Sequence, residues 1–411
     1  MQSTPELANS DNLDANPATR ALRVALLLDT RAWAGTESYV LTLARALNGL
    51  NAPEKARQIE ISVATAPDSE LGKRAKKAAI PLLPVARRGA WDLSTLAILT
   101  RRLRRGATDV VHVHNGRTAL WGALAVTLAG RGACVATHHF IEPAHAGQSG
   151  LKGRVSGAVH AWIERHIQGH IAISRAVEKA LEARGVLSGE QIRVVHNGID
   201  LSPASLDETP LPPELQAPVV CVARLQREKD IPTLVRAMAL LNVNRTDKIR
   251  CVVAGEGDDR ALIEDAIARE TGCNVELAGF TPFAASMLHA AQVAVLPSPA
   301  EPFGLALLEA MAQRKPVVAI GAGGPAEIVV GGQTGLLVPP GDAGAMAQAL
   351  GELLDDPARA RALGEAGFAR LHEHFGAGRM AEQTLAVYRR ALEPGALEPG
   401  ALEPGARPNS R

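Results

Sequence analysis

The sequence predicts an α/β protein made of two doubly wound, parallel-sheet domains. Short apolar segments of strand length alternate with segments of helical periodicity along most of the chain, and this alternation is typical of βαβ units. At 411 residues the chain is also too long for one ordinary hydrophobic core. A polar, proline-rich segment at 201–217 interrupts the alternation and is the best candidate linker. Two such domains place a ligand cleft between the carboxyl ends of their sheets.

The domain boundaries follow from these segments and from the composition of the two ends of the chain. The motif ALEPG occurs three times near the carboxyl end, and its proline and glycine rule out a continuing helix. The predicted order is a disordered leader at 1–20, a first domain at 21–200, the linker at 201–217, a second domain at 218–375, a helix at 376–392 and a low-complexity tail at 393–411.

The composition excludes several classes of protein. A formal net charge of +1 argues against nucleic acid as a partner, and 3% aromatic residues leave little for base stacking. The four cysteines form no CxxC pair, so we expect reduced core cysteines and neither a zinc site nor a disulfide framework. The amino-terminal segment is polar and no apolar run is long enough to span a membrane, which favours a cytoplasmic protein.

The first domain opens with a strand at 24–28, a loop containing Gly35 and a helix at 37–47 with Thr36 as its cap. A strand, a glycine-containing loop and a helix N-terminus form an arrangement that can hold phosphate, although Gly35 could equally serve a tight turn. The remaining predicted strands are 59–65, 109–115, 134–140, 171–174 and 192–195, and the remaining helices are 69–78, 93–105, 118–129, 151–167 and 176–183.

In the second domain the same alternation starts again. Strands are predicted at 219–223, 249–254, 275–277, 293–296, 317–320 and 336–338, each followed by a helix, and the chain reads as helical from about 356 to 392.

The segment 293–310 is the most informative stretch of the chain. A buried strand ends at Pro297, and an almost entirely apolar helix begins near Gly304 but contains Glu309. Glu301 precedes that helix, whose N-terminal N–H groups favour an anion. Two carboxylates beside a helix N-terminus indicate a polyhydroxylated, phosphorylated ligand. Alternatively, Glu301 complements the helix dipole and Glu309 pairs with a buried arginine.

Two cations follow the first strand of the second domain. Arg224 comes directly after the strand and Lys229 lies five residues later, before a helix. Cations at the carboxyl end of a strand suit a diphosphate leaving group whose charge must be neutralised. A solvated charged loop is the alternative, and Arg227 and Glu228 fit that description.

In order and spacing, these motifs resemble those of the retaining glycosyltransferases of family 4 (glycosyl transferases group 1). The match covers roughly residues 22–390, and its specific part is the carboxyl-terminal half; the AGTES loop and the HNGID turn at 196–200 fit less specifically. The matching motifs are Arg-Leu-x-x-x-Lys at 224–229, Gly-Glu-Gly at 255–257, Ala-Gly-Phe at 278–280 and Glu-Pro-Phe-Gly-Leu at 301–305 with a second Glu at 309. The resemblance implies the GT-B fold, two Rossmann-like domains facing a central cleft.

The resemblance also implies roles for individual residues of the second domain. Glu309 and Glu301 match the E-x7-E motif, whose second Glu binds the ribose hydroxyls of the nucleotide and whose first contacts the hydroxyls of the donor hexose. The remaining matches are Arg224 and Lys229 with the diphosphate, Phe303, Gly304 and Leu305 with the backbone segment that holds sugar and phosphate, Phe280 and Thr281 with the loop near the nucleobase, and Gly255 with the donor-binding motif.

Two positions depart from the family pattern. The loop matched by Gly35, which closes on the donor phosphates, usually reads Gly-Gly, but its first position here is Ala34. The family usually has glycine after the lysine, where this chain has Asp230, which we interpret as a helix cap.

The histidines give one site prediction and one alternative. The family often has Thr-x-His after the strand at 134–140, with the histidine near the transferred sugar, which points to His139; His138 is the competing register. Either could instead be a hydrogen-bonded histidine at a strand end. His112 and His114 lie on one strand face as metal ligands might, but no third ligand is evident and the family needs no metal.

The resemblance implies transfer of a hexose from a UDP- or GDP-sugar to a glycan or lipid-linked acceptor, with retention of configuration and no metal or other cofactor. Arg224, Lys229 and helix N-termini would stabilise the departing diphosphate, Glu301 would position the sugar and His139 would orient it. The alternatives are another GT-B enzyme, such as a sugar-nucleotide epimerase or a glycogen-type synthase, and a non-catalytic sugar-nucleotide sensor. The basic segments 73–77 and 96–105 indicate peripheral contact with the inner face of a membrane, or simply solvated helix faces.

Overall fold

The computed structural model describes residues 20–30, 33–51, 58–85, 93–141, 150–201 and 210–393. The chain divides into two compact units. The first unit comprises Met1–Ile171, Arg184–Arg193 and Ala381–Arg411, and the second comprises Ala172–Ala183 and Val194–Met380.

The first unit is built on a seven-stranded sheet with the strand order β3-β2-β1-β4-β5-β6-β7. Its strands are β1 (Leu22–Leu27), β2 (Ile59–Thr65), β3 (Leu82–Pro84), β4 (Val110–Val113), β5 (Ala133–His138), β6 (Gly169–Ala172) and β7 (Ile192–Val194). Its helices are α1 (Gly35–Gly49), α2 (Glu70–Lys77), α3 (Leu93–Arg104), α4 (Gly116–Ala129) and α5 (Gly150–Arg165). β1 pairs in parallel with both β2 and β4, so the order of connection reverses at β1.

The second unit is built on a six-stranded parallel sheet with the strand order β10-β9-β8-β11-β12-β13. Its strands are β8 (Val219–Val222), β9 (Cys251–Ala254), β10 (Val275–Gly279), β11 (Val293–Leu296), β12 (Val317–Ile320) and β13 (Leu336–Val338). Its helices include α6 (Arg175–Glu182), α7 (Ile231–Asn242), α8 (Arg260–Arg269), α9 (Ala284–Ala290), α10 (Leu305–Ala312), α11 (Pro325–Ile328), α12 (Ala343–Asp355) and α13 (Pro357–His374). The terminal helix α14 (Ala377–Ala391) starts in the second unit and ends in the first.

Both sheets carry their cores on two faces. Every residue of β11 and β12 is buried, because strands covered by helices on both faces need apolar side chains at every position. For the same reason these two strands can be recognised in the sequence as continuous apolar runs. The predicted strand bounds of 293–296, 317–320 and 336–338 are confirmed. The doubly wound, two-domain α/β prediction is therefore correct.

Three local features of the structure differ from the predictions. Strand β3 is not predicted from the sequence, because this edge strand has three residues and is flanked or occupied by prolines. Thr36 does not cap α1, which begins at Gly35 with Ala34 in the cap position. Asp230 occupies the cap position of α7 without a capping hydrogen bond from its side chain. The predicted helical segment from about 356 to 392 consists of α13 and α14, and α14 corresponds to the predicted terminal helix at 376–392.

The predicted ends and linker lie mostly outside the described residues, namely 1–19, 202–209 and 394–411. Arg20, which was assigned to the leader, is part of the fold, because its guanidinium pairs with the Asp109 carboxylate at 2.6 Å. The described part of the linker contains a short 3-10 turn at Pro213–Leu215.

Candidate active site

The predicted donor-site residues of the second unit follow four neighbouring strands. Arg224 follows β8, Gly255 follows β9, Phe280 follows β10 and Glu301 follows β11. These strands are adjacent and parallel in the order β10-β9-β8-β11, so their carboxyl ends lie along one edge of the sheet. The order of connection reverses between β8 and β11, and ligands of open α/β sheets bind at such a reversal.

The two charges predicted to act on donor phosphate and donor sugar are in direct contact. The Nζ atom of Lys229 lies 2.5 Å from Oε2 of Glu301, and their side chains are 12% and 11% exposed. Lys229 is held in place by a 3-10 turn, Arg227–Lys229, and its N–H donates to the carbonyl of Gln226 at 2.8 Å. The solvated-loop alternative is therefore wrong for Lys229.

Arg224 has a different environment from Lys229. Its side chain is 48% exposed, and its guanidinium lies 3.2 Å from the carboxylate of Glu228, which is similarly exposed. An exposed pair of this kind holds a side chain weakly, so Arg224 is free to reach an arriving anion.

Gly255 lets two loops run close together at the edge of the sheet. Its φ is +151°, and a Cβ atom there would lie 1.9 Å from the carbonyl oxygen of Ala223. Its N–H donates to the carbonyl of Gly279 at 2.9 Å, which joins the ends of β9 and β10. Any side chain at Gly255 would push the backbone leading to Arg224 out of place.

The loop after β10 presents an exposed ring. Phe280 is 66% exposed, and it follows Gly279, whose φ is +74°. The Oγ1 atom of Thr281 accepts a hydrogen bond from the N–H of Phe283 at 3.1 Å, which holds the turn into α9. This places Phe280 and Thr281 at the sheet edge that carries Arg224.

We call the segment Glu301–Gly304 the donor loop. It ends at the N-terminus of α10, where Gly304 has a φ of +108° and Leu305 is the first helical residue. Phe303 is buried, and its ring stacks on His196 with the ring centroids 5.8 Å apart. His196 belongs to the HNGID turn, so that turn supports the donor loop, a relationship that its sequence did not indicate.

Glu309 lies one turn after Leu305 on α10. Among the described residues its carboxylate has no hydrogen-bond or ion-pair partner, so the alternative of a buried arginine partner is wrong there. Burial raises the pKa of Glu309 to about 7. A carboxylate left unpaired in an apolar helix costs stability, and such groups cluster at functional sites.

Gly323 and Gly324, which precede α11, pack closely against the backbone of the donor loop. The N–H of Gly324 donates to the carbonyl of Glu301 at 2.9 Å. A Cβ atom at Gly324 would lie 2.2 Å from Cα of Phe303, and one at Gly323 would lie 2.5 Å from the carbonyl oxygen of Glu301. The Gly-Gly-Pro sequence at 323–325 is the signal in the sequence for this close approach, and it is absent from the predicted site residues.

In the first unit, Gly35 and His139 are linked through Tyr39. Gly35 is the first residue of α1, and Tyr39 lies one turn later on the same helix. The Tyr39 ring meets the His139 ring edge-on with the centroids 4.8 Å apart. Burial lowers the pKa of His139 to about 3, so its imidazole is neutral at ordinary pH. His139 can therefore donate or accept a hydrogen bond but carries no charge.

The other histidines of this region contact each other, His139 or hydroxyl groups. His114 Nδ1 lies 3.3 Å from His139 Nε2, and His138 Nε2 lies 3.1 Å from His170 Nδ1. His112 is held between Thr137 Oγ1 at 2.7 Å and the Tyr388 hydroxyl at 2.6 Å. Within the described ranges, no group of three or more His, Cys, Asp or Glu side chains is arranged to hold a metal ion.

Three of the four cysteines lie in the core, as predicted, and the fourth, Cys273, is partly buried against it. All four are free, and Cys134, Cys221 and Cys251 are buried. Burial raises the pKa of the Cys221 thiol to about 12, which makes it unreactive at neutral pH. In the part of the chain that the structure describes, no helix has both the length and the apolar character needed to cross a membrane.

Two family models match the chain, one in each half. The model described as "Glycosyltransferase Family 4" matches residues 33–203, and the model "Glycosyl transferases group 1" matches residues 207–370. Glycogen synthase of Mycobacterium tuberculosis H37Rv is 31% identical over 315 residues, which cover 73% of this chain and 75% of that protein. Alpha-maltose-1-phosphate synthase of Mycolicibacterium smegmatis is 34% identical over 312 residues, covering 69% of this chain and 79% of that protein.

Solved structures of the same architecture match almost the whole chain. Anabaena Alr3699/HepE in complex with UDP and glucose has a TM-score of 0.73 at 21% identity, covering 90% of this chain and 99% of that one. Sucrose-phosphate synthase from Thermosynechococcus elongatus has a TM-score of 0.65 at 23% identity, covering 90% and 98%. At this level of identity the similarity establishes the fold, which is GT-B.

Proposed function

Because the chain belongs to the family 4 glycosyltransferases, we propose that it transfers a hexose from a UDP- or GDP-sugar to a glycan or lipid-linked acceptor. The observation that carries this proposal is the contact of Lys229 with Glu301 beside the N-terminus of α10, with the unpaired carboxylate of Glu309 on the same helix. The set provides a cation for phosphate, a carboxylate for sugar hydroxyls and a second carboxylate for ribose. In the relatives, HepE was solved with UDP and with UDP-glucose.

The proposed reaction proceeds on one face of the donor. The bond between the anomeric carbon and the diphosphate oxygen breaks while the acceptor oxygen bonds to the same carbon. The proton of the acceptor hydroxyl passes to the departing diphosphate. Configuration is retained because the acceptor attacks the same face of the sugar that the diphosphate leaves. Lys229 and Arg224 stabilise the negative charge that develops on the leaving group, and no metal is needed for this.

Glu301 acts by positioning in this scheme, not as a covalent nucleophile. The ammonium of Lys229 at 2.5 Å neutralises much of its charge, which weakens the carboxylate as a nucleophile. Retaining glycosidases, by contrast, use a free carboxylate to form a covalent glycosyl-enzyme. A trapped glycosyl adduct on Glu301 would overturn this assignment. His139 is neutral, and we assign it the task of orienting the sugar through a hydrogen bond.

The choice of acceptor has two candidates. Glycogen-type synthesis is favoured by the names of two relatives, a glycogen synthase and a maltose-1-phosphate synthase. A lipid-linked acceptor, as in the assembly of lipopolysaccharide or glycolipid, is favoured by the exposed cations of α2. That helix buries Leu71 and Ala75 and exposes Lys73, Lys76 and Lys77. Sedimentation with vesicles separates the two, because only membrane docking predicts binding that depends on anionic lipid.

The test of the proposal is calorimetric titration with UDP and with GDP, each repeated in excess EDTA. We expect one nucleotide to bind equally well with and without EDTA, and we expect Glu309→Ala to lose that binding. Binding that disappears in EDTA would contradict the metal-free scheme, and no binding of either nucleotide would overturn the proposal. A non-catalytic sensor would bind the nucleotide sugar without releasing the diphosphate.

A further inference from the structure

The donor loop is supported by a residue far from it in sequence. Ser174 follows β6 and is fully buried, and its hydroxyl donates to the carbonyl of Pro302 at 2.6 Å. Proline has no N–H, so this carbonyl is the only backbone group that Pro302 can offer to a hydrogen bond. The contact therefore fixes the middle of the donor loop, between Glu301 and Phe303.

Ser174 also caps a helix. Its Oγ atom accepts the N–H of Val177 at 3.1 Å, which makes Ser174 the N-cap of α6. One hydroxyl thus receives a bond from the helix and gives a bond to the donor loop. The position of the loop is coupled in this way to the N-terminus of α6, and both belong to the second unit.

Glu327 connects the N-terminus of α6 with His196, whose ring stacks on Phe303 of the donor loop. Its carboxylate accepts the N–H groups of Arg175 at 3.0 Å and Ala176 at 3.1 Å, and it contacts Nε2 of His196 at 2.9 Å. Burial alone would raise the pKa of Glu327, but these hydrogen bonds outweigh it and hold the pKa below its usual value. Glu327 lies on α11, three residues after Gly324, whose N–H holds the carbonyl of Glu301. Two carbonyls of the donor loop therefore accept hydrogen bonds, one from Ser174 and one from Gly324, and Glu327 connects the segments that carry these two donors.

We infer that Ser174 is a positioning residue for the donor site, setting the backbone of the donor loop so that Glu301 and the N-terminus of α10 meet the sugar and the phosphate. This inference rests on the proposed function, since it concerns the same donor. Ser174 need not touch the donor. Its effect on donor binding is exerted through the carbonyl of Pro302.

The chain provides a matched control in Ser69. Ser69 is buried and caps α2, which has eight residues like α6. Its Oγ atom accepts the N–H of Gly72 at 3.0 Å, and its hydroxyl donates to the carbonyl of Ala66 at 2.6 Å. Ser69→Ala therefore removes an N-cap bond and a bond to a nearby carbonyl, as Ser174→Ala does, together with a contact of Ser69 Oγ with Thr65 Oγ1 at 3.2 Å. Ser69 lies in the first unit, whereas the donor loop lies in the second.

The experiment compares Ser174→Ala, Ser174→Gly, Ser174→Thr and Ser69→Ala by thermal unfolding, by calorimetric titration with UDP and GDP, and by donor kinetics. Loss of one hydrogen bond to the loop should weaken nucleotide binding and raise the donor KM by about tenfold in the Ala and Gly variants. Glycine is a good N-cap, so Ser174→Gly keeps the helix while losing the bond to Pro302 and covers the case in which Ser174→Ala does not fold. Ser174→Thr keeps a hydroxyl and should restore binding.

Ser69→Ala should lose thermal stability as Ser174→Ala does, while its nucleotide binding and donor KM stay at the wild-type values. Wild-type binding in Ser174→Ala and Ser174→Gly, measured where the wild-type protein binds a nucleotide, would overturn the inference alone. An equal loss of binding in Ser69→Ala would also overturn it, because the effect would then follow from helix capping in general. A wild-type protein that binds neither UDP nor GDP would overturn the proposed function and the inference with it.

Discussion

The ammonium nitrogen of Lys229 lies 2.5 Å from a carboxylate oxygen of Glu301, although the two residues are 72 positions apart in the chain. Each was assigned a different half of the donor, Lys229 the diphosphate and Glu301 the hexose. Their contact means that the ammonium group predicted to bind phosphate is paired with the carboxylate predicted to bind the sugar. A donor that reaches the site must share or take over this contact, which couples recognition of its two halves.

Removing Lys229 should affect both binding and stability. Lys229→Met leaves the carboxylate of Glu301 buried and unpaired, so we expect a loss of about 2–4 kcal/mol in the free energy of unfolding and a nucleotide Kd raised by about tenfold or more. Urea denaturation and calorimetry measure the two effects. The double variant Lys229→Met/Glu301→Gln removes both charges and should recover much of the stability but none of the binding. Stability unchanged in Lys229→Met, as expected for the exposed control Lys73→Met, would contradict the buried ion pair.

Glu309 should make stability depend on pH in a defined direction. Its pKa is raised from 4.5 to about 7 in the folded protein, so the folded state binds more protons than the unfolded state between these values. Protonated Glu309 therefore stabilises the folded state fully below about pH 4.5, and the free energy of unfolding falls as pH rises from about 4.5 through 7. The free energy of unfolding of Glu309→Gln should therefore exceed that of the wild type by roughly 1–3 kcal/mol at pH 8 and equal it at pH 4.5.

Urea denaturation across this pH range measures the difference, with the exposed Glu382→Gln on α14 as the control. A difference between Glu309→Gln and wild type that stays constant from pH 4.5 to 8 would show that Glu309 is not desolvated. The variant should also bind nucleotide more weakly, because an amide accepts fewer hydrogen bonds from ribose hydroxyls than a carboxylate does.

Gly324→Ala should displace the donor loop by a steric clash alone. The φ of Gly324 is −59°, which alanine adopts freely, but the new Cβ would lie 2.2 Å from Cα of Phe303. We expect a loss of stability of about 1–3 kcal/mol from overpacking together with loss of nucleotide binding. Gly49→Ala adds the same methyl group where nothing lies within 4 Å and should leave both unchanged. Wild-type binding by Gly324→Ala would mean that the loop tolerates displacement.

Tyr388→Phe should weaken the attachment of the terminal helix within the first unit. The Tyr388 hydroxyl lies 2.6 Å from Nδ1 of His112, and both residues are fully buried. Burial lowers the pKa of His112 to about 3, so the ring is neutral and needs one donor and one acceptor as neighbours. Removing the hydroxyl leaves Nδ1 without a partner and should cost about 1–3 kcal/mol in unfolding free energy. In the double variant with His112→Phe, this extra cost should largely vanish; additive losses would contradict the hydrogen bond.

Much of the fold could be predicted from the sequence, because parallel strands that are buried on both faces consist of unbroken apolar runs. The bounds of β11 and β12 were predicted without error for this reason, and those of the partly buried edge strand β13 were also predicted from its apolar run. The loops that follow β8 and β11 contain the charged residues of the site. The edge strand β3 was missed, since three residues beside prolines give no pattern to detect.

Long-range contacts account for most of what could not be predicted. Ser174 and Pro302 are 128 positions apart, and Arg175 and Glu327 are 152 apart, so no local periodicity relates them. Asp230 shows a different limit. Its φ of +47° explains why this position favours glycine, but an aspartate before a helix resembles a cap, so the sequence alone predicts a capping role.

The most direct test of the account is a phosphorus NMR time course with a panel of UDP- and GDP-hexoses, a set of glycan and lipid-linked acceptors, and excess EDTA. The account predicts release of the nucleoside diphosphate from one donor, formation of a glycoside with the donor's anomeric configuration in the proton spectrum, and loss of both in Lys229→Met. Binding of a nucleotide sugar with no release of diphosphate, whatever the acceptor, would contradict a transferase and leave a sensor as the better description.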